Sequence, residues 1–263
     1  MVERTVFIHL PGETEAVPAG RLSMIEQGTQ VQASTFAYGR RYVARANAVP
    51  VDPVALALLP AQNDQDRLPP AGLALFGALR DATPDAWGRR VIENRLRAPP
   101  NGLPESVYLD HAGPHRAGAL DVRETPTSPA AQSALPSALD LQHLLDAAAR
   151  IEQGQPVPAH LEVFFAGGPS VGGARPKAVI TANGHEWIAK FPARGDPFNV
   201  PLIEYATLEL AREAGLRVPP LRIEALADGR QVTLVQRFDR EPVQRGIARR
   251  HMLSALTLLA LPE

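Results

Sequence analysis

Three features in the second half of the chain have the residue types and spacing to grip a phosphate. The first is a glycine-rich run, Gly167-Gly168-Pro169-Ser170-Val171-Gly172-Gly173-Ala174-Arg175-Pro176-Lys177. Glycines lack Cβ, so the backbone can approach an anion and aim N–H groups at it. Arg175 and Lys177 add positive charge. The second is Lys190, set in the apolar stretch Trp187-Ile188-Ala189-Lys190-Phe191. A lysine in such a strand is costly unless an anionic group meets it. The third is Glu204, at the opening of the next predicted helix. Each also has an ordinary reading: a surface loop, a snorkelling edge-strand lysine, a solvated first-turn acid. The run is neither a Walker A loop nor a GxGxxG, so its glycines alone are a weak signal.

Their order strengthens the case. In protein kinases a glycine-rich loop covers the phosphates, a strand lysine holds the α- and β-phosphates, and a glutamate on the following helix orients that lysine. Leu234-Val235-Gln236-Arg237-Phe238-Asp239-Arg240 then stands where a linker would meet adenine. By itself it reads as a strand end with solvated charges.

These residues need elements to hold them. Residues 5–10 read as a buried strand before a Pro-Gly turn, and 19–45 as two or three antiparallel strands. Residues 53–59 fit a strand or a short helix. Thr83-Pro84-Asp85 starts a helix carrying Trp87, Val91, Ile92 and Leu96, which Pro99-Pro100 ends. Residues 121–138 are rich in Pro, Ser, Thr and Ala and read as a linker. Residues 139–152 follow as an amphipathic helix with Leu141, Leu144, Leu145 and Ile151 on one side. Two hairpins are predicted, 178–181 with 186–191 across Asn183-Gly184, and 221–226 with 231–236 across Asp228-Gly229. Between them lies a helix over 201–214, stopped by Gly215, and residues 250–261 read as a further helix. The fold class is therefore α+β: a mostly β module over 1–124, a linker over 125–138, and a lobe of antiparallel strands plus one helix over 139–263.

Composition bounds the function. Twenty-seven basic and twenty-eight acidic residues among 263 leave a net charge of −1, so nothing draws the whole chain to nucleic acid or an anionic membrane. There is no cysteine, which excludes disulfides and thiolate metal sites. No apolar run reaches the length of a membrane helix. These features fit a soluble cytoplasmic protein. His111 and His115 are four apart, but Gly113 and Pro114 interrupt them. Arg245, Arg249, Arg250 and His251 read as a solvated strand or turn, and Asp81, Asp85, Arg89 and Arg90 as helix caps and surface pairs. Trp87 reads as core.

Taken together, Ser170-Val171-Gly172-Gly173-Ala174-Arg175-Pro176-Lys177, Ile188-Ala189-Lys190-Phe191, the helix from Glu204 to Gly215 and Gln236-Arg237-Phe238-Asp239-Arg240 resemble the HipA family of toxin serine/threonine kinases. The first half agrees. Asp81-Ala82-Thr83-Pro84-Asp85-Ala86-Trp87-Gly88 resembles the family's Asp-x-x-Pro-Asp-x-Trp-Gly signature, and Gly118-Ala119-Leu120 its Gly-Ala-Leu segment. The resemblance implies a kinase-like N-lobe that binds ATP with Mg2+. Ser170 would be an autophosphorylated switch serine, and Val171, Gly172, Gly173, Ala174 and Arg175 the loop over the phosphates. Lys190 would hold the phosphates, with Glu204 and Lys177 in support, and Gln236 and Phe238 would lie at the adenine hinge. It implies a HipB-like DNA-binding antitoxin as partner, and a protein substrate that in some members is an aminoacyl-tRNA synthetase. No direct nucleic-acid binding is expected of this chain alone. The family's catalytic base and metal ligands have no counterpart here, since no Asp-x-His-x-x-Asn segment occurs. No catalytic residue is therefore expected in this chain, which reads as the nucleotide-gripping part of such a kinase, inactive alone. The alternative is a non-catalytic partner-binding module.

Overall fold

The computed structural model describes residues 1–59, 65–162 and 173–261. β1 (Val2–His9), β2 (Ala16–Gln27) and β3 (Gln30–Tyr38) form an antiparallel meander, and β4 (Leu120–Arg123) returns to pair with β1, giving the order β3-β2-β1-β4. Alternation places Val6, Ile8, Leu22, Met24, Phe36 and Tyr38 in one core. β4 means that the Pro-rich stretch read as linker from residue 121 begins with three strand residues; the register sets Val122 opposite Val6.

Four helices accompany this sheet: α1 (Arg40–Val43), α2 (Gly77–Asp81), α3 (Ala86–Leu96) and α4 (Glu105–His111). The first module is thus more helical than its sequence pattern indicated. Residues 53–59 are neither strand nor helix. Buried Asp52 explains this, because its carboxylate accepts from the N–H groups of Val54, Ala55 and Ala78. The Tyr38 hydroxyl fixes the same loop, donating to the Leu56 carbonyl at 2.6 Å and accepting from Val51 N at 2.8 Å. The side-chain partners replace a ladder, so the apolar residues pack without regular structure.

In the second half, α5 (Leu141–Glu152) presents Leu141, Leu144, Leu145 and Ile151 to the core, as its periodicity predicts. The short α6 (Ala159–Glu162) follows. β5 (Lys177–Ala182), β6 (His185–Lys190), β7 (Leu221–Ala225) and β8 (Gln231–Gln236) build a second antiparallel sheet in the order β5-β6-β8-β7. Asn183 and Gly184 both have positive φ, 52° and 75°, the geometry of a tight hairpin turn. α7 (Val200–Glu213) is capped by the Asn199 side chain and ends before Gly215 at φ +86°. One face of the sheet (Ala178, Ile180, Trp187, Ala189, Val232, Leu234) packs on α5 and on Trp87 and Val91 of α3.

β9 (Arg240–Val243) and β10 (Gly246–Arg249) form a separate hairpin, and α8 (Ala255–Leu258) follows. The helix expected over 250–261 is therefore only one turn long. Residues 250–254 instead have no regular structure, and His251 Nε2 meets the Val51 carbonyl while Ser254 N donates to Asp81 at 2.6 Å. Thr257 sits against Gly77, where a Cβ would come within 2.6 Å of its side chain. The stretch 125–138 thus separates the two sheets in sequence but not the two cores. Trp87 crosses one way and Leu253 the other. No helix among the described residues is long and apolar enough to cross a membrane.

Candidate functional site

Strand alternation sets the site. Trp187 and Ala189 of β6 face the core, so Ile188 and Lys190 face the other way. Lys177 of β5 lies directly opposite Lys190 in the ladder and shares its face. α7 approaches this face because Thr233 of β8 donates its hydroxyl to the Pro201 carbonyl at 2.6 Å. That contact brings Glu204 onto Lys190, and the two form an ion pair with about a third of each side chain exposed. The predicted lysine–glutamate pair is therefore formed.

A cavity of about 290 Å³ opens over the pair, lined by Gly173, Arg175, Lys177, Lys190, Pro201 and Glu204 among others. All three cations in it are paired. Arg175 bonds Asp196, and Lys177 donates to Asp85 at 3.0 Å and to the Gly173 carbonyl at 2.9 Å. Lys177 is almost wholly buried. Burial lowers the pKa of its ammonium, with Lys190 adding to the effect and Asp85 opposing it. Gly173 and Ala174 also border a larger cleft of about 800 Å³ between the modules, lined on one side by Ile188 and Phe238 and on the other by Asp85 and Arg90. Gly173 and Ala174 border both cavities, so the two adjoin there.

Of the residues predicted from sequence, Gly173, Ala174, Arg175, Lys177, Lys190 and Glu204 are brought together. Phe238, 60% exposed, lines the larger cleft. Gln236 faces neither cavity among the described residues; its amide meets His185 Nδ1 at 3.0 Å and its N–H donates to the Pro220 carbonyl. Ser170, Val171 and Gly172 lie outside the described residues.

The charges of Arg237, Asp239 and Arg240 are not solvated. Arg237 is buried, donating to the carbonyls of His115 (2.7 Å) and Arg116 (3.1 Å) and to both oxygens of Asp239. Arg240 donates to the carbonyls of Arg116 and Gly118 and to Asp239. Asp239 accepts from Gly118 N at 2.8 Å, and Glu186 lies 3.2 Å from Arg237. Burial alone would raise the Asp239 carboxyl, but the hydrogen bonds and charge of Arg237, with Arg240, hold it at about 2. This network fastens the backbone beside Phe238 to the first module. Sequence reasoning read Asp85 as a helix cap but missed its bond to Lys177. Asp85 does cap α3, accepting from Gly88 N at 2.6 Å, but its other oxygen serves Lys177.

The fold is thus α+β, with two four-stranded antiparallel sheets and a separate hairpin among the described residues, and Lys190 of the second four-stranded sheet pairs with Glu204 of α7 beside Gly173. Comparison with known proteins defines it further. The HipA-like C-terminal domain family matches residues 169–263. The solved HipA of Shewanella oneidensis MR-1, determined in a toxin–antitoxin complex with HipB and operator DNA, superposes with a TM-score of 0.63 at 19% identity, over 98% of this chain and 56% of that one. Residues 169–263 are thus similar to the HipA-like C-terminal domain family, and the chain has a fold like that of the Shewanella HipA. This chain spans little more than half the length of that relative. No match was found among curated proteins.

Proposed function

We propose that this chain is the nucleotide-gripping part of a HipA-like toxin serine/threonine kinase that transfers phosphoryl from ATP to a protein serine. The observation that carries the reading is the Lys190–Glu204 ion pair facing a cavity bordered by Gly173 and Lys177. The residues fit ATP. Lys190 is exposed enough to donate to a phosphate oxygen while Glu204 holds it, and Ile188 with Phe238 offers an apolar wall to the base. ATP would supply the transferable phosphoryl group, and this chain's own groups would bind and orient it. Mg2+ would accompany the nucleotide, since it is usually held by one or two carboxylates together with the phosphates. The glycine-rich run would cover the phosphates, with Ser170 as its autophosphorylation site. The complex from which the Shewanella HipA is known supports a HipB-like antitoxin as partner, and an aminoacyl-tRNA synthetase is one candidate substrate.

Thermal unfolding with and without Mg-ATP tests this reading. The wild-type chain is expected to melt higher with millimolar Mg-ATP, and Lys190→Ala to lose the shift while keeping the nucleotide-free midpoint. An equal shift in both proteins refutes the role of Lys190. A second reading, a non-catalytic partner-binding module, draws on the apolar side chains left exposed on α7 and α8, with Leu210 at 64% and Leu258 at 54%. It predicts no nucleotide-dependent shift but tight binding of a DNA-binding antitoxin.

A further inference from the structure

The start of α3 belongs to the first module, yet it is bonded to both ends of the segment that closes the phosphate pocket. Trp87 N donates to the Gly173 carbonyl at 3.3 Å, and the Trp87 indole donates to the Lys177 carbonyl at 2.8 Å. Lys177 then folds back, its ammonium shared between the Gly173 carbonyl and Asp85. The segment between residues 173 and 177 is so closed into a ring whose fixed side is α3. Gly173 has φ +109°, and a Cβ there would stand 3.4 Å from the Lys177 ammonium, so glycine suits this closure.

We infer that Asp85 is a positioning residue of the nucleotide site, acting through Lys177 to hold the C-terminal end of the glycine-rich run against the first module. The inference rests on the nucleotide reading above. Its physical basis is a division of labour between two lysines that face each other across the β5–β6 ladder. The side chain of Lys177 is 5% exposed and tied to Asp85, whereas that of Lys190 is 31% exposed and tied to Glu204. A buried ammonium without a partner is strongly unfavourable, the more so beside a second lysine. Asp85 removes that cost, keeps Lys177 on the Gly173 carbonyl and leaves Lys190 as the cation open to phosphate. The first module thereby sets the geometry of a site whose ligand-facing residues lie in the second.

Asp85→Asn separates position from charge. Asparagine caps a helix about as well as aspartate, so α3 stays formed while the carboxylate is lost. Simple electrostatics predicts tighter Mg-ATP binding, because one negative charge beside the site has gone. Positioning predicts the opposite. Two measurements on the whole chain decide. Hydrogen–deuterium exchange over residues 173–180 is expected to quicken about tenfold, in line with the worth of a charge-assisted hydrogen bond, with residues 86–96 unchanged. Mg-ATP affinity by calorimetry is expected to fall at least about threefold from the same loosening. Unchanged exchange over 173–180 overturns the inference, as does unchanged or tighter Mg-ATP binding. Should Asp85→Asn fail to fold, Lys177→Gln breaks the same ring from the other side and must quicken the same exchange. A wild-type chain that binds no Mg-ATP overturns the nucleotide reading, and the role of Asp85 in it. That failure differs from one in which the wild type binds and Asp85→Asn matches it.

Discussion

Replacing Asp239 by asparagine preserves side-chain size and removes the charge on which two buried guanidinium groups converge. Arg237 and Arg240, with side chains 1% and 3% exposed, would be left with Glu186 as their remaining carboxylate neighbour. Holding the Asp239 carboxyl at about 2 rather than 3.8 corresponds to about 2 kcal/mol of stability at 1.36 kcal/mol per pKa unit. Truncating one partner of a buried ion network costs about 3–5 kcal/mol, because the other charge stays behind. Urea unfolding at pH 7 is therefore expected to place Asp239→Asn about 3 kcal/mol below wild type. The pH dependence has a definite sign. The folded pKa is depressed, so the contribution of Asp239 is complete above 3.8 and is lost as pH falls toward 2. The gap between the two proteins should then narrow as pH falls below about 4. Because the same arginines bond the carbonyls of residues 115, 116 and 118, the variant should also unfold less cooperatively. A loss under about 1 kcal/mol, or a gap that stays constant down to pH 2.5, would refute the account of this network as a charge-dependent clamp.

Two further substitutions probe the elements that carry the site. Tyr38→Phe removes the hydroxyl that serves both Val51 N and the Leu56 carbonyl, and chemical denaturation should show a loss of about 1–3 kcal/mol for the stranded backbone groups; a neutral result would mean that the loop over 51–56 is held by packing and Asp52 alone. Gly173→Ala forces φ +109° on a residue with a Cβ, so it should destabilise by about 1–2 kcal/mol and quicken exchange over 173–180, and an alanine variant as stable as wild type would show that this backbone conformation is not required.

The sequence revealed the site to the extent that its parts obey local rules. Lys190 and Glu204 could be paired in advance because a strand followed by a capped helix has few ways to arrange itself, and α7 is capped by Asn199 with Pro201 in its first turn. The two hairpins were equally legible, since Asn183-Gly184 and Asp228-Gly229 fit turns that need positive φ. What stayed hidden was every contact spanning the linker. Asp85 looked like a helix cap because that role is written within three residues; its bond to Lys177 spans 92 positions and has no local signature. Arg237 and Arg240 looked solvated because charged residues at a strand end usually are. Their burial is decided by carbonyls more than 120 positions away. The same cause shortened the helix expected over 250–261, whose apolar spacing is real but whose first residues bond Val51 and Asp81 instead. The two modules are each recognisable alone, yet the cleft between them depends on polar groups that only their contact satisfies. Groups of that kind are costly to bury unpaired and specific once paired. Substituting Asp85 or Asp239 should therefore cost more folding stability than substituting Lys190, whose side chain already meets water.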